Sequence, residues 1–544
     1  MADHSTAERR ARLDGLGGRR FDVIVVGGGI TGCGIAREAA LRGLSVALLE
    51  KNDFAAGTSS RSSRLIHGGV RYLEHGHLRL VFEASAERRR LLHLAPHLVQ
   101  ALEFTWPVYR GARVPLWKLA AGLTLYDALA LFRNVGRHRR LSADAILHEQ
   151  PGLRRDGLVG GATYYDANTD DARLTLAVAV DARERGAVMV NHARVSKLVT
   201  EGVRAAGVEV VDELYGETTQ VSARVIVNAT GPWSDAFRHL EGATSTPKLR
   251  GSKGVHIAVP RGRVGNHGAL TLLSPDDGRV MFVLPAGTHT IIGTTDTFTS
   301  VTPDEIRASE ADVGYLLAAA NNFFPGANLE RGDVISAWAG IRPLAATASE
   351  DSVAASREHA IAVTPAGVVT ITGGKLTTFR VMAAETVRVA LRQLGRSAPP
   401  SRSESSPLAW NISNSRETVI EVATRETGDA VLANHLVGSY GSAWPSAWRT
   451  IESEPYGSEP IDPALPYRLG EMRYACRSEM ACTLADLLIR RTHIAFETRD
   501  HGRSIARTVA LHVAPVLGWT AAAIATEIER YEVEIDRMFT IDRA

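Results

Sequence analysis

Three glycines, Gly27, Gly29 and Gly32, and a carboxylate at Glu50 are the residues of this chain whose types and spacing most plainly imply chemistry. In G-x-G-x-x-G the first glycine permits a tight turn, the second lets backbone approach a pyrophosphate, and the third lets helix and strand pack closely. A carboxylate about 20 residues further on is placed for a ribose 2′-OH. A second group is GGKLTTFR at 373–380, where two glycines and capping threonines open a helix beside Lys375 and form an anion pocket. Between the two lies the stretch 54–76, FAAGTSSRSSRLIHGGVRYLEHG, which reads as a loop yet carries Arg61, Arg64, His67, Arg71 and Tyr72. Its hydroxyls can bond phosphate, and Gly68-Gly69 lets backbone approach a flat ring. Loops hung on a rigid sheet are where ligand contacts concentrate.

The elements that must hold these groups follow from the pattern around them. A β-branched apolar run at 23–26 suits a buried parallel strand, a helix follows the glycines to Gly43, and a second strand at 45–49 ends on Glu50. Strand, glycines, helix, strand and acid in that order are the signature of an ADP-ribose site, although this fingerprint alone does not separate FAD from NAD. The strand 223–227 runs into Asn228-Ala229-Thr230-Gly231-Pro232-Trp233, which brings chain back to the dinucleotide at the carboxyl edge of the sheet. Further strands are expected at 187–190, 207–211, 254–259, 280–284, 289–293, 334–343 and 367–371. Helices are expected at 80–98, with Arg88, Arg89 and Arg90 on the wet face, at 114–132, 172–185 and 311–323, and from the 373–380 motif to 391. RSAPPSRSESSPL at 396–408 has the composition of a linker, and helices at 417–433, 471–492, 504–517 and 520–537 follow it.

Composition sets limits. The chain has 544 residues, room for two to four domains, with 45% hydrophobic and 22% charged residues and a mean hydropathy of −0.06. A net charge of +2 gives no polyelectrolyte signal, so nucleic acid is not an expected partner. Cys33, Cys476 and Cys482 offer neither a disulfide framework nor metal-ligand spacing, and Cys33 reads as a packing residue. No metal is expected. Residues 1–20 are polar and basic, neither signal peptide nor anchor, and are expected to be a disordered tail. The segment 114–132 mixes aliphatics with Trp117 and Tyr126 between basic flanks; it suits either a core helix or one dipping into a bilayer surface.

Taken together, the chain resembles the FAD-dependent glycerol-3-phosphate dehydrogenases of the D-amino-acid-oxidase-like flavoproteins. The resemblance rests on GGGITG at 27–32, SSRSSRLIHGGVRYLEHG at 59–76, DDARL at 170–174, NATGPW at 228–233, IIGTTDT at 291–297, AGIRPL at 339–344, GGKLTTFR at 373–380 and LADLLIRRT at 484–492. Cys33 and Phe379 depart from the family's usual alanine and tyrosine. The implied fold is α/β: a Rossmann-like FAD-binding domain (21–105, 160–235 and 335–395), an inserted antiparallel-sheet substrate domain (α+β; 106–159 and 236–334) and a C-terminal all-α cap domain (409–544). The implied activity, in glycerol metabolism, is oxidation of sn-glycerol 3-phosphate to dihydroxyacetone phosphate, with electrons passed to a membrane quinone.

For the site, the resemblance implies that phosphate is taken by Arg71, Arg342, Arg357 and Lys375, with Tyr72 hydrogen-bonding the substrate. His256 is the candidate for removing the hydroxyl proton. FAD is expected on Gly27, Gly29, Ile30, Thr31, Gly32, Glu50 and Lys51, and on Thr58, Ser59, Ser60, Arg64, Leu65, His67 and Gly68 of the loop. Val195, Ala229, Gly231, Gly374, Lys375, Leu376 and Thr377 complete that set. The implied location is the cytoplasm, peripherally on the inner face of the plasma membrane, with 114–132, Arg490 and Arg491 facing lipid. A glycerol-3-phosphate oxidase, an amino-acid oxidase and a non-catalytic FAD-binding redox module remain alternatives, and a homodimer is left open.

Overall fold

The computed structural model describes residues 6–131, 134–242, 249–345 and 358–543. Its frame is two sheets. In the eight-stranded sheet, Arg20–Val26 lies between Val46–Leu49 and Thr218–Asn228, parallel to both. Val188–Val190 and Val369–Gly373 extend that parallel core on either side. Residues 23–26 of the first strand are almost wholly buried because both faces of the sheet are covered, one by helices and the other by the strands Ala193–Glu201 and Arg204–Asp212 with the helix Thr6–Leu16. Ile30–Leu41, Asp171–Glu184 and Phe379–Gln393 pack there as one apolar core.

The second sheet has ten strands and is antiparallel apart from one pairing, Ala269–Leu273 beside Val99–Tyr109. Its longest members pair Val99–Tyr109 with Leu158–Thr169, and Leu249–Pro260 with Ser336–Ala345. The expected boundaries need correcting here. Most of 99–109, 158–169 and 336–345 had been allotted to the FAD-binding part, but backbone pairing puts these strands in the second sheet.

Four further expectations fail for physical reasons. From Thr6 on, the tail is no disordered segment: Thr6–Leu16 is helical, and buried Arg9 donates to both oxygens of Asp212 at 3.0 Å and to the Asn191 carbonyl, while residues 1–5 lie outside the described residues. Leu13 and Leu16 join the core under Phe21 and Ile24. The 396–408 stretch, by contrast, forms no helix or strand, as a linker should, and is laid along the first domain, where Arg42 donates to the Pro399 carbonyl, Arg37 to that of Ser406, and Leu408 N–H to Leu94 O. Arg88 is buried, not wet, and holds Asp166 and the Tyr126 hydroxyl. The helix expected at 417–433 is broken, because Gly428 adopts φ +70° and Asp429 caps a new helix, Ala430–Tyr440. Likewise Leu469–Ser478 ends before Met480, at φ +61°, and a wide turn Asp486–Arg491 follows.

Arg490 and Arg491 do not face lipid. They are 4% and 3% exposed, and both donate to Asp53, three residues beyond Glu50. Asp53, His192 and Asp486 bring ligand-type atoms within 4.8 Å of one another, but the two arginines already satisfy these carboxylates. The C-terminal helices are therefore clasped to the back of the loop that carries Glu50.

Candidate active site

One cavity of about 610 Å³ is lined both by the glycine turn of the first sheet and by side chains of the second. At the turn the backbone is committed. Gly27 has φ +107°, and a Cβ on Gly32 would lie 1.9 Å from Gly27 O. The N-cap of the helix Ile30–Leu41 is Gly29, which has no side chain to cap it, so the first-turn N–H groups of Thr31 and Gly32 remain available to an anion. Ile30 N–H meets Ser59 Oγ at 3.0 Å, tying the 54–76 loop to the turn. Glu50 accepts from Gly28 N–H at 2.5 Å and Asn52 N–H at 2.8 Å, which fixes the carboxylate and leaves each oxygen a lone pair for a ribose hydroxyl. Burial pushes its carboxyl up, and these N–H groups oppose the shift.

The Glu50 end of the cavity is closed by Lys51 and Trp233 together with Asp304 and Gly57, which the sequence did not single out. Lys51 lies 4.4 Å over the Trp233 ring and binds Asp304 at 2.9 Å, while Trp233 Nε1 donates to the other Asp304 oxygen. Gly57 allows this, since a Cβ there would lie 2.9 Å from the indole. Thr31, Val195, Ala229, Gly231, Leu65, Leu376 and His67 line the same cavity, and Thr58 is fixed through its hydroxyl to Ile341 O.

Five residues expected to contact FAD are not on the cavity wall. Gly32 packs the turn. Ser60 is buried behind the loop. Gly68 donates N–H to Asp166, and its lack of a Cβ admits Tyr126. The Thr377 hydroxyl hooks His67 backbone to the 373–380 turn. Arg64, at φ +55°, turns away to His493 Nδ1 at 3.2 Å, and His493 holds Asp170. The arginine that does line the cavity is Arg61.

At the other end side chains from both sheets converge. Arg342 reaches in from Ser336–Ala345 and donates to Thr294 Oγ1 at 3.0 Å and Asp296 at 3.3 Å. Gly254 leaves room for it, since a Cβ there would lie 2.5 Å from the guanidinium. Lys375 follows Gly373 and Gly374, both at positive φ, and places its ammonium 3.8 Å over the Tyr72 ring. Arg71 stands in the turn Val70–His75 between two lining residues, whereas Arg357 lies outside the described residues. His256 lines the cavity, stacks 5.6 Å from Trp338, and bonds Ser63 Oγ through Nε2 at 2.8 Å. Burial, with Arg342 and Arg64 nearby, pushes the His256 imidazole down to about 3. It is neutral at physiological pH.

A bent dinucleotide cradle that opens onto a cationic pocket is what an FAD-dependent oxidoreductase requires, and the model of that family matches residues 22–383. The C-terminal domain of alpha-glycerophosphate oxidase matches residues 403–524. "Glycerol-3-phosphate dehydrogenase 2" of Mycobacterium tuberculosis is 41% identical over 539 residues, covering 97% of this chain and 90% of that protein. The corresponding dehydrogenase of Synechocystis is 36% identical over 533 residues, covering 94% and 95%. Among solved structures, the FAD complex of the Bacillus halodurans glycerol-3-phosphate dehydrogenase superposes with a TM-score of 0.83 at 30% identity, covering 99% of this chain and all of that one. The chain belongs to the FAD-dependent glycerol-3-phosphate dehydrogenases, and its cofactor is FAD.

Proposed function

We propose that the enzyme oxidises sn-glycerol 3-phosphate to dihydroxyacetone phosphate and delivers the electrons to a membrane quinone. The observation that carries this reading is that Arg342, Lys375, Tyr72 and His256 share one cavity with the dinucleotide turn. Bound there, FAD supplies the two-electron acceptor for a hydride from C2. Arg342 and Lys375, joined by Arg71 and Arg357, bind the phosphate dianion and so aim C2. Tyr72 hydrogen-bonds the substrate. His256, neutral and with no hydrogen-bond partner at Nδ1 among the described residues, takes the C2 hydroxyl proton as the ketone forms. Two charge-assisted phosphate contacts of about 1.5–3 kcal/mol each predict that glycerol, lacking phosphate, has a kcat/KM about 10²–10⁴ lower. Comparable steady-state constants for the two alcohols would rule the phosphate pocket out.

Delivery to quinone needs a membrane-facing surface. No helix of the described residues is long and apolar enough to cross a bilayer. Leu116–Leu129 buries Leu119, Leu123 and Tyr126 against the core, so it is a core helix on one side. Its other side leaves Trp117 72% and Leu125 42% exposed, which supports shallow insertion from a peripheral position on the cytoplasmic leaflet. The basic flank is weaker than its sequence implied, because Arg113 and Lys118 both pair with Glu74. Co-sedimentation with anionic vesicles at low salt is expected, and Trp117→Ser with Leu125→Ser should abolish most of it. Undiminished sedimentation of the double variant would remove this helix from the membrane surface.

A further inference from the structure

Arg61 is a cation lining the cavity without a counter-charge. Its guanidinium makes no hydrogen bond or ion pair among the described residues, and its Nε is shielded from solvent. Four charges act on it: Glu534 and Asp304 against Arg537 and Arg490. They cancel in sign, and each is already engaged. Glu534 pairs with Arg537 at 2.5 Å, Asp304 with Lys51 at 2.9 Å, and Arg490 with Asp53 at 2.8 Å. Burial, in this company, pushes Arg61 down to about 10. A half-buried guanidinium left this way calls for an anion from outside the protein.

Its position indicates which anion. Arg61 is two residues from Ser59, whose hydroxyl takes the Ile30 N–H at the mouth of the helix. Its N–H is fixed to Thr58 O at 3.1 Å, and strand Ser336–Ala345 backs it, since a Cβ on Gly340 would lie 2.9 Å from Arg61 O. The charges around it lead to the Glu50 end of the cavity: Asp304 bridges Lys51 and Trp233, Arg537 lies 3.9 Å from Asp304, and Arg490 holds Asp53. The charges acting on His256, at the substrate end, are instead Arg342 and Arg64.

Given FAD in this cavity, we propose that Arg61 is the guanidinium that holds the FAD diphosphate, opposite the N–H groups of the glycine turn. Arginine suits the task, because its planar fork meets two phosphate oxygens at once.

The test is titration of the full-length apoprotein with FAD, ADP and riboflavin, followed by flavin fluorescence and by ADP competition. Arg61→Gln is expected to weaken FAD and ADP alike by about 10–100-fold and to leave riboflavin, which has no phosphate, unchanged. Arg61→Lys should recover most of the loss. It should also move the ³¹P resonances of the bound diphosphate relative to wild type, a readout that survives if Arg61→Gln fails to fold. FAD and ADP affinities within about twofold of wild type, or unmoved ³¹P resonances in Arg61→Lys, would overturn the assignment. So would a rise in the KM for glycerol 3-phosphate with cofactor affinity intact, which would put Arg61 at the substrate end. A wild-type apoprotein that binds no FAD at all would remove the cofactor premise rather than the role of Arg61 within it.

Discussion

Lys375→Met is expected to purify yellow, with FAD bound, yet to be reduced by glycerol 3-phosphate about 10²–10³-fold more slowly than wild type. The cofactor should stay because the residues proposed for its diphosphate and ribose lie elsewhere in the cavity, on the turn at Gly27 and Gly29, at Ser59 and at Glu50. The rate should fall because Lys375 stands where two needs meet. It enters from Gly373-Gly374, a turn whose positive φ values let the backbone deliver the ammonium into the cavity rather than along the sheet. The ammonium lies over Tyr72, and the 3₁₀ turn Leu376–Thr378 behind it opens the helix Phe379–Gln393. Helix N–H groups and a fixed cation stabilise negative charge as it develops, and they do so without reorganising. Stopped-flow reduction under anaerobic conditions measures the effect, and a rate near wild type would exclude the role.

The second large effect is on stability. Arg491→Met removes donors at 2.6 and 3.1 Å from the two oxygens of Asp53, and one at 2.8 Å from the Glu479 carbonyl. Arg490 Nε and Asn191 Nδ2 still reach Asp53, so its charge is not stranded. Each Asp53 oxygen keeps one donor, and the Glu479 carbonyl is left buried without the guanidinium. Losing charge-assisted bonds of this kind costs about 1.5–3 kcal/mol each, a large fraction of what holds any domain folded. Because Asp53 follows Glu50 in one loop, and Ala55 N–H closes that loop on Gly28 O at 3.0 Å, loosening the clasp also loosens the carboxylate proposed for the ribose. That weakens FAD binding, so added FAD should raise the melting temperature of the variant less than that of wild type if the clasp and the cofactor are coupled. Unchanged melting of the apoprotein would contradict this reading.

What the sequence revealed and what it hid divide along a physical line. Strand 20–26, the glycine turn, helix 30–41 and Glu50 were legible because neighbours in sequence dictate their conformation, through β-branched runs, an invading Cβ at Gly32 and a 3.6-residue period. Lys375 was legible for the same reason, since two glycines before a helix start leave few geometries. Arg61 and Arg64 were not separable. Three residues apart in a loop without period, one lines the cavity and the other crosses to His493, 429 positions away. Arg490 and Arg491 misled in the same way. Two adjacent arginines read as surface charge until Asp53, more than 430 residues earlier, supplies the partner. Arg9 hides the fold of the first helix similarly, because its partner Asp212 lies 203 residues on. Arg88 is the shortest-range case, with the Tyr126 hydroxyl 38 residues away. Partner identity at long range is set by topology, and composition carries no trace of it.

The most direct test is to add glycerol 3-phosphate to the purified, FAD-loaded protein in the absence of oxygen and follow the flavin absorbance. A flavin seated beside Arg342, Lys375 and His256 should bleach with that phosphoester and not with glycerol at the same concentration. A spectrum that stays oxidised, or one that bleaches equally with both alcohols, would contradict the account.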